Sequence, residues 1–530
     1  MSEPAGVNEE RRKLRVEVIL EDAVVPRWIA SLIDRLASAG FVELAGVVVA
    51  SKPRQARAKP AVLALSLYDR LDRRVFRSKT DALEPVDLSS VISVYGSERD
   101  DPDVVINLAL SAASTSSGRP RLGEWSVHHG GSRAWHSEPP FFWETYHQEP
   151  VVVTSVCAQR PEDDARVIYR TVSATDAHSP SRARNAACWK VSGIILQRLA
   201  QLHEHGWSFF EALPTYHDRD GLPASVSEET PGNLQMIGYL ARLGPRLLVS
   251  RLRKQLQREE WFLAYRRGSW PPENGDMAMF RTVPDVPGRY FADPFVFGRN
   301  GRHYVFFEDY RVREGRGVIS YVEIHEDGEV SEPGVVLERP YHVSYPFIFV
   351  HDGAVFMVPE SSANRTIDLY RAEAFPESWV LDRVLMNDVD AVDATLVEHR
   401  NRWWLFASMR EHGTHYSDEL FLFSAASLDA NWSPHPLNPI VSDARRARPA
   451  GRIFLHDGAL IRPGQDSSGS YGAAVVFSRI ERLSETEFRE TPISRLGPDW
   501  MRRNVGTHTY NFDDAYEVVD GRRRRLKFRH

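Results

Sequence analysis

Apolar positions in the first hundred residues switch between two periods. Leu14-Arg15-Val16-Glu17-Val18-Ile19-Leu20 is a short run of β-branched and aliphatic residues and predicts a buried strand. Residues 26–39 place Trp28, Ile29, Leu32, Ile33 and Leu36 at helical spacing on one face. FVELAGVVVA at 41–50 predicts a second strand, and Asp103-Val104-Val105-Ile106-Asn107-Leu108 a third. Strands separated by helices predict an α/β domain with a Rossmann-type parallel sheet, over residues 12–205. A helix-rich stretch follows from about 186 to 267, and residues 206–275 are expected to be a helical linker region. The cluster Trp270-Pro271-Pro272-Glu273-Asn274-Gly275 marks the boundary.

Beyond it, over residues 276–530, the pattern becomes short strands broken by Gly, Asp and Pro. Five segments share one form: FADPFVFGRNGRHYVFFED, VSYPFIFVHDGAVFMVPES, AVDATLVEHRNRWWLFASM, PAGRIFLHDGALIRPGQDS and GTHTYNFDDAYEVVDGRRR. Each is an apolar strand, a turn with Gly, Asp or Asn, and a second strand. Equivalent positions are Asp293, Tyr345, Asp393, Gly451 and His508, at spacings of 52, 48, 58 and 57 residues. That period is about one four-stranded blade per copy, so the segment predicts an all-β five-bladed propeller.

Composition narrows the function classes. The chain carries 66 basic and 72 acidic side chains, a net charge of -6, which disfavours a nucleic-acid polymer as partner. Two cysteines, Cys157 and Cys188, make neither a disulfide framework nor a Cys-rich zinc site, so a cytoplasmic location is expected. No run of 18 apolar residues occurs.

The acids of the repeats fall in register. Fifteen residues after Asp293 comes Glu308, after Tyr345 comes Glu360, after Asp393 comes Ser408, and after Gly451 comes Asp466. A hairpin of two six-residue strands brings such positions to the same end. On inner strands, Asp293, Glu308, Glu360, Asp393, Asp466 and His508 would then converge at one mouth of the propeller. Glycosidic chemistry commonly uses one ionised and one protonated carboxyl. Crowding drives carboxyl pKa values apart. Phe291, Tyr345, Trp403 and Trp404 are candidates to stack on sugar faces. The competing reading is that these acids cap turns or pair with Arg316, Arg448 and Arg452.

Residues 280–525 resemble the propeller module of plant glucosamine inositolphosphorylceramide transferases and their bacterial relatives. The resemblance rests on Phe291-Ala292-Asp293-Pro294-Phe295, Phe307-Glu308-Asp309, Ser344-Tyr345-Pro346-Phe347, Pro359-Glu360-Ser361, Asp393-Ala394-Thr395-Leu396, Trp403-Trp404-Leu405-Phe406, Arg448-Pro449-Ala450-Gly451, Arg462-Pro463-Gly464-Gln465-Asp466, Tyr471-Gly472 and Gly506-Thr507-His508-Thr509. That module is similar to the five-bladed fold of glycoside hydrolase family 43. The likeness implies Asp293 as general base, Asp393 as the acid that tunes its neighbours and Glu360 as proton donor. Glu308, Asp309, Tyr345, Arg448, Asp466, His508 and Trp404 are the candidate substrate-binding residues.

Residues 14–205 resemble the formyltransferase fold through Trp125-Ser126-Val127-His128-His129-Gly130. His128 matches the family's catalytic histidine, Ser126 stands where the family has Asn, and Asp163 or Asp164 stands near its Asp. The Ser argues against a folate cofactor, because the Asn carboxamide helps stabilise the oxyanion. His128, His129, Trp143, Glu144 and Asp164 are nevertheless candidate pocket residues, with Ser126.

His203 and His205 have the wrong spacing for one helix face, and no metal site is expected. The basic stretch 236–267 is a candidate for peripheral membrane contact, and Arg522-Arg523-Arg524-Arg525 for a solvated tail. The leading expectation is a glycosyltransferase of glycan or glycolipid assembly, with a nucleotide-sugar donor and a carbohydrate or glycolipid substrate. The alternatives are a furanoside hydrolase, a non-catalytic carbohydrate-binding protein, and formyl or acyl transfer to an amino sugar. Oligomeric state is left open.

Overall fold

The computed structural model describes residues 12–50, 63–77, 80–95, 101–109, 120–130, 140–161, 163–211, 213, 231–268, 280–410 and 415–527. The Trp270–Gly275 boundary cluster lies outside them. The chain divides into two compact units, Met1–Thr171 with Thr175–Arg242, and Leu243–His530 with Val172–Ala174.

The first unit is built on one six-stranded sheet. Its order is Val42–Val49, Leu14–Leu20, Val104–Asn107, Glu124–His129, Val151–Gln159, Arg166–Ala174. The first three pairings are parallel and the fourth is antiparallel, so the sheet is mixed rather than wholly parallel. All seven residues of Leu14–Leu20 are buried, as a central strand covered on both faces requires. The helix Arg27–Ser38 buries Trp28, Ile29, Leu32, Ile33 and Leu36, the face its spacing predicts. A 26-residue helix, Pro180–His205, starts at Ser179, whose side chain accepts from the Arg182 amide.

The second unit is a five-bladed β-propeller. Blade I is Arg289–Arg299, Arg302–Arg311, Arg316–Ile324 and Gly334–Leu337. Blade II is Ser344–His351, Ala354–Glu360, Thr366–Ala374 and Ser378–Asn387. Blade III is Ala391–Glu398, Trp403–Met409, Glu419–Ala425 and Ser433–Pro434, and blade IV Phe454–His456, Ala459–Asp466, Ala474–Leu483 and Phe488–Leu496. Blade V takes Tyr510–Phe512 and Tyr516–Leu526 from one end of the unit and Gln257–Arg267 and Arg281–Thr282 from the other. Five apolar clusters fill the five gaps, between V and I, I and II, II and III, III and IV, and IV and V.

Blade V departs from the sequence reading. The helix expected to run to Arg267 ends at Leu256, and Gln257–Arg267 is a strand, not linker. It pairs antiparallel with Tyr516–Leu526 along its whole length, from Tyr516 opposite Arg267 to Leu526 opposite Gln257. Arg522 to Arg525 are therefore ladder residues, not a tail. Arg524 pairs with Glu259 at 3.2 Å, Arg525 with Glu260 at 3.1 Å, and Arg523 with Asp285. Deeper in the ladder, Arg266 meets the buried Glu517 at 3.0 Å. Acids on one strand facing arginines on the other specify the register of this closure.

Candidate functional site

The inner hairpins of blades I, II and III break register at one equivalent place, between residues 292 and 295, 344 and 347, and 392 and 395. The residue at each break, Asp293, Tyr345 or Asp393, has a left-handed backbone, with φ of 54°, 44° and 54°. This conformation is costly for a side chain with a Cβ and persists only where the surroundings hold it. The resulting bulge re-aims one side chain per blade. In blade IV the position is Gly451, φ 137°, where a Cβ would lie 2.1 Å from the Tyr510 carbonyl oxygen.

Around these bulges lie five acids, Asp293, Glu308, Glu360, Asp393 and Asp520, none more than 9% exposed. Two cations face them, Arg448 and His508. Arg448 donates to both Asp393 oxygens, at 2.5 and 3.3 Å, and Gln465 Nε2 donates to the same carboxylate at 3.1 Å. His508 lies between two carboxylates, with Nδ1 against Asp520 and Nε2 3.5 Å from Asp293 Oδ1. Thr509 Oγ1 donates to Asp293 Oδ1 at 2.9 Å. Glu360 accepts from Ser344 at 3.0 Å and Ser362 at 2.7 Å, and Glu308 lies 3.5 Å from His342 Nε2.

Five buried acids against two cations cannot all be ionised cheaply. Burial pushes the Asp293 carboxyl up to about 6, with His508 pulling it down and Asp393 adding to the rise. Burial and then the Asp293 charge hold Glu308 well above the usual carboxylate range. Burial also raises Glu360, against the pull of Arg448 and the two serines. At Asp393 burial raises the carboxyl, and Arg448 opposes it. Burial disfavours the His508 imidazolium, but Asp520 and Asp293 outweigh it and raise its pKa. The site therefore holds carboxyls poised to keep protons beside carboxylates paired to cations, the division that acid–base chemistry at a glycosidic bond needs.

The ligand atoms of Asp293, His508 and Asp520 lie within 4.8 Å of one another, close enough for a metal ion. Asp520 and Asp293 on either side of the ring raise the His508 pKa, which favours a proton on the imidazole between the two carboxylates.

Several expected members sit elsewhere. Asp309 is fully buried in an ion pair with Arg289 and accepts from Ser320 at 2.8 Å. It neighbours Glu308 in sequence, so it projects from the other face of the strand. Asp466 pairs with Arg495 at 3.2 Å and accepts from Ser468 at 2.6 Å. Phe291, Trp403 and Trp404 are core residues of the inter-blade clusters, not stacking platforms. Tyr345 is also fully buried and acts as a strut. Its hydroxyl meets Thr395 Oγ1 at 2.9 Å and accepts from the Gly451 amide at 2.8 Å, tying blades II, III and IV.

The aromatics at the acid cluster are Trp261, which the sequence pattern did not single out, and Tyr471, which carries the family resemblance but was given no role at the site. Trp261 stacks on His508 with 3.9 Å between ring centroids, and Tyr471, 37% exposed, meets the same histidine edge-on at 5.3 Å. The Arg448 guanidinium lies over the Tyr471 ring at 5.2 Å. Trp261 belongs to the strand taken for helix, and its signal is the apolar run Trp261-Phe262-Leu263-Ala264-Tyr265, which suits a strand. Asp520 was missed because the fifth hairpin is shorter, so its acid falls twelve residues after His508 rather than fifteen.

In the first unit, Ser126 Oγ lies 3.1 Å from His128 Nε2, and His129 Nδ1 lies 3.1 Å from Thr154 Oγ1. Burial lowers both histidines to about 4, so both are neutral at pH 7. Asp164 is exposed on the turn between two strands. The buried acid beside this strand is Glu144, whose Oε1 is 3.7 Å from where a Cβ on Gly130 would lie. Burial raises its pKa. Trp143 is buried and stacks on His147.

Residues 263–510 match the family described as glucosamine inositolphosphorylceramide transferase 1, N-terminal. The chain is 36% identical over 261 residues to glucosamine inositolphosphorylceramide transferase 1 of Oryza sativa subsp. japonica, covering 48% of this chain and 35% of that one. The protein of the same name in Arabidopsis thaliana is 36% identical over 234 residues, covering 43% of this chain and 30% of its own. The chain thus spans about a third of the length of these relatives. Among solved structures, a family 117 glycoside hydrolase of Zobellia galactanivorans aligns with a TM-score of 0.33 and 13% identity, over 50% of this chain and 90% of that one. An exo-β-1,3-galactanase of Clostridium thermocellum aligns with a TM-score of 0.33 and 13% identity, over 43% and 59%.

Proposed function

We propose that the propeller mouth transfers a glycosyl group, and that its acceptor is the polar headgroup of an inositolphosphorylceramide-like glycolipid. The observation that carries this is the meeting of five buried acids with Arg448 and His508, mostly within the segment that matches the transferase family. The relatives' names supply the acceptor class.

Asp293 is the base that takes the proton from the acceptor hydroxyl, ionised above pH 6 and fixed by Thr509 and His508. Glu360 and Glu308 are the carboxyls that hold protons for the departing side. Asp393, clamped by Arg448 and Gln465, is the carboxyl placed to support positive charge building on the sugar ring. Trp261 and Tyr471 offer an aromatic face to the sugar.

The first unit is, in this reading, a formyltransferase-like domain that binds donor or acceptor, a nucleotide sugar being the donor. Two observations favour binding over formyl transfer. Ser126 bonds His128 where the fold's chemistry calls for Asn, and Asp164 is exposed to solvent.

The test is turnover of the purified protein on nucleotide sugars and aryl furanosides side by side. Nucleotide release that Asp293→Asn and Glu360→Gln each reduce at least about a hundredfold is expected. Full activity in both variants would overturn the assignment, and cleavage of aryl furanosides alone would make the site a hydrolase.

A further inference from the structure

The helix Asn233–Leu256 has two apolar faces, and only one is used. Met236, Tyr239 and Leu243 are buried, with the Tyr239 hydroxyl 2.9 Å from that of Tyr68. On the opposite side, Leu234, Ile237, Leu248, Leu252 and Leu256 stand in solvent, Leu234 at 85% exposed. Leu240 and Val249 are exposed as well, and at 100° per residue the exposed apolar positions spread over about 180° on the side away from the buried face. Arg242, Arg246 and Arg253 flank one edge of that arc, and Arg251 lies within it near the other edge. The helix holds five cations and no acid. Among the described residues, no ion pair involves Arg246, Arg251, Arg253 or Lys254.

A second stripe stands on the helix Leu63–Val75, the partner of Tyr239 through Tyr68. Leu67, Leu71 and Val75, spaced four residues apart, are exposed, and Arg70 and Arg74 border them.

We infer that the exposed face of Asn233–Leu256 docks on an anionic lipid surface, lying in the plane of the headgroups. Charge complementarity selects this occupant. A leucine face bordered by arginines along one edge, with Arg251 near the other, fits a bilayer whose interior is apolar and whose surface is negative. A second protein chain would bury those cations against a matching set of acids, and the helix carries none to make that match with its own copy. No described helix is long and apolar enough to cross a membrane, so the contact is a surface one. Pro245 stands inside the helix and leaves one backbone position of it without an amide donor. The inference stands apart from the propeller chemistry, since vesicle binding is read without donor or acceptor.

The experiment is co-sedimentation of the full chain with vesicles of phosphatidylcholine alone and of phosphatidylcholine with phosphatidylglycerol. Binding to the anionic vesicles only, weakened by added salt, is expected. Replacing Arg246, Arg251 and Arg253 together by Gln should cut binding about a hundredfold, at roughly fivefold for each cation. Leu248→Ser with Leu252→Ser should cut it as well, while circular dichroism and melting temperature stay unchanged. Equal binding to both vesicles, binding to neither, or binding indifferent to both variants would overturn the inference. So would a concentration-dependent dimer that the two serines abolish.

Discussion

Asp293→Asn should inactivate the protein and stabilise it, and the size of the second effect follows from the site. Burial raises the Asp293 carboxyl from 3.8 to about 6, after allowing for the pull of His508. The folded state therefore binds this proton more tightly than the unfolded chain does. The stability it lends is full below pH 3.8 and is lost as pH rises through 6, staying lost above. At about 1.4 kcal/mol per pKa unit the loss is about 3 kcal/mol at pH 7.5 and about 1 kcal/mol at pH 4.5. Asparagine is neutral at both and keeps an oxygen to accept from Thr509. Relative to wild type, the variant should gain about 3 kcal/mol at pH 7.5 and about a third of that at pH 4.5. At roughly 2 °C per kcal/mol for a domain of this size, the propeller transition should rise by about 6 °C at pH 7.5. Scanning calorimetry at the two pH values reads this directly. A melting temperature that is unchanged or lower at pH 7.5, or an equal gain at both, would refute the claim that the fold holds Asp293 at a cost.

Arg448→Met should destabilise the propeller by about 3–5 kcal/mol at pH 7.5, because Asp393 loses its bidentate partner inside the site. The loss should shrink at pH 4.5, where the carboxyl takes a proton, and denaturant melts at both pH values test this. Tyr345→Phe should cost about 1–3 kcal/mol, since the buried Gly451 amide loses its acceptor, with little change in the circular dichroism of the sheets. Trp261→Ala should raise KM for the sugar substrate about tenfold or more and spare kcat to a greater degree, through loss of the ring beside His508. A fragment of residues 243–530 should melt cooperatively, whereas one of 276–530 should not, because it lacks the eleven-residue strand Gln257–Arg267.

What could be read from the chain was what repeats in it. Asp293, Tyr345 and Asp393 occupy one position of a recurring hairpin, and period-two geometry then places Glu308 and Glu360 beside them. The same geometry explains the errors. Asp309 lies next to Glu308 in sequence, but alternate residues point to opposite faces, so it went to Arg289, while Trp403 and Trp404 point to opposite faces that are both covered by neighbouring blades. Tyr345 matched the register, yet nothing in a strand pattern reveals that a hydroxyl will meet Thr395 and Gly451 from two other blades. Trp261 was hidden by the basic helix preceding it, which made a strand look like its continuation. In the first unit the strands and the first helix were legible from their periods, whereas the antiparallel turn of Val151–Gln159 depends on pairings between distant segments.

The pairing of Gln257–Arg267 with Tyr516–Leu526 also sets an order of events during synthesis. A ribosome must add some 250 residues after the first of these strands before its partner exists, and blades I to IV can assemble in the interval. The ring closes last, as a contact of large sequence separation, which is the slow kind to form. Trp261 rides on the early strand, His508 and Asp520 on the late segment, so the acid cluster has no complete aromatic wall until closure. A nascent chain would carry most of the acids before the wall that encloses them is built.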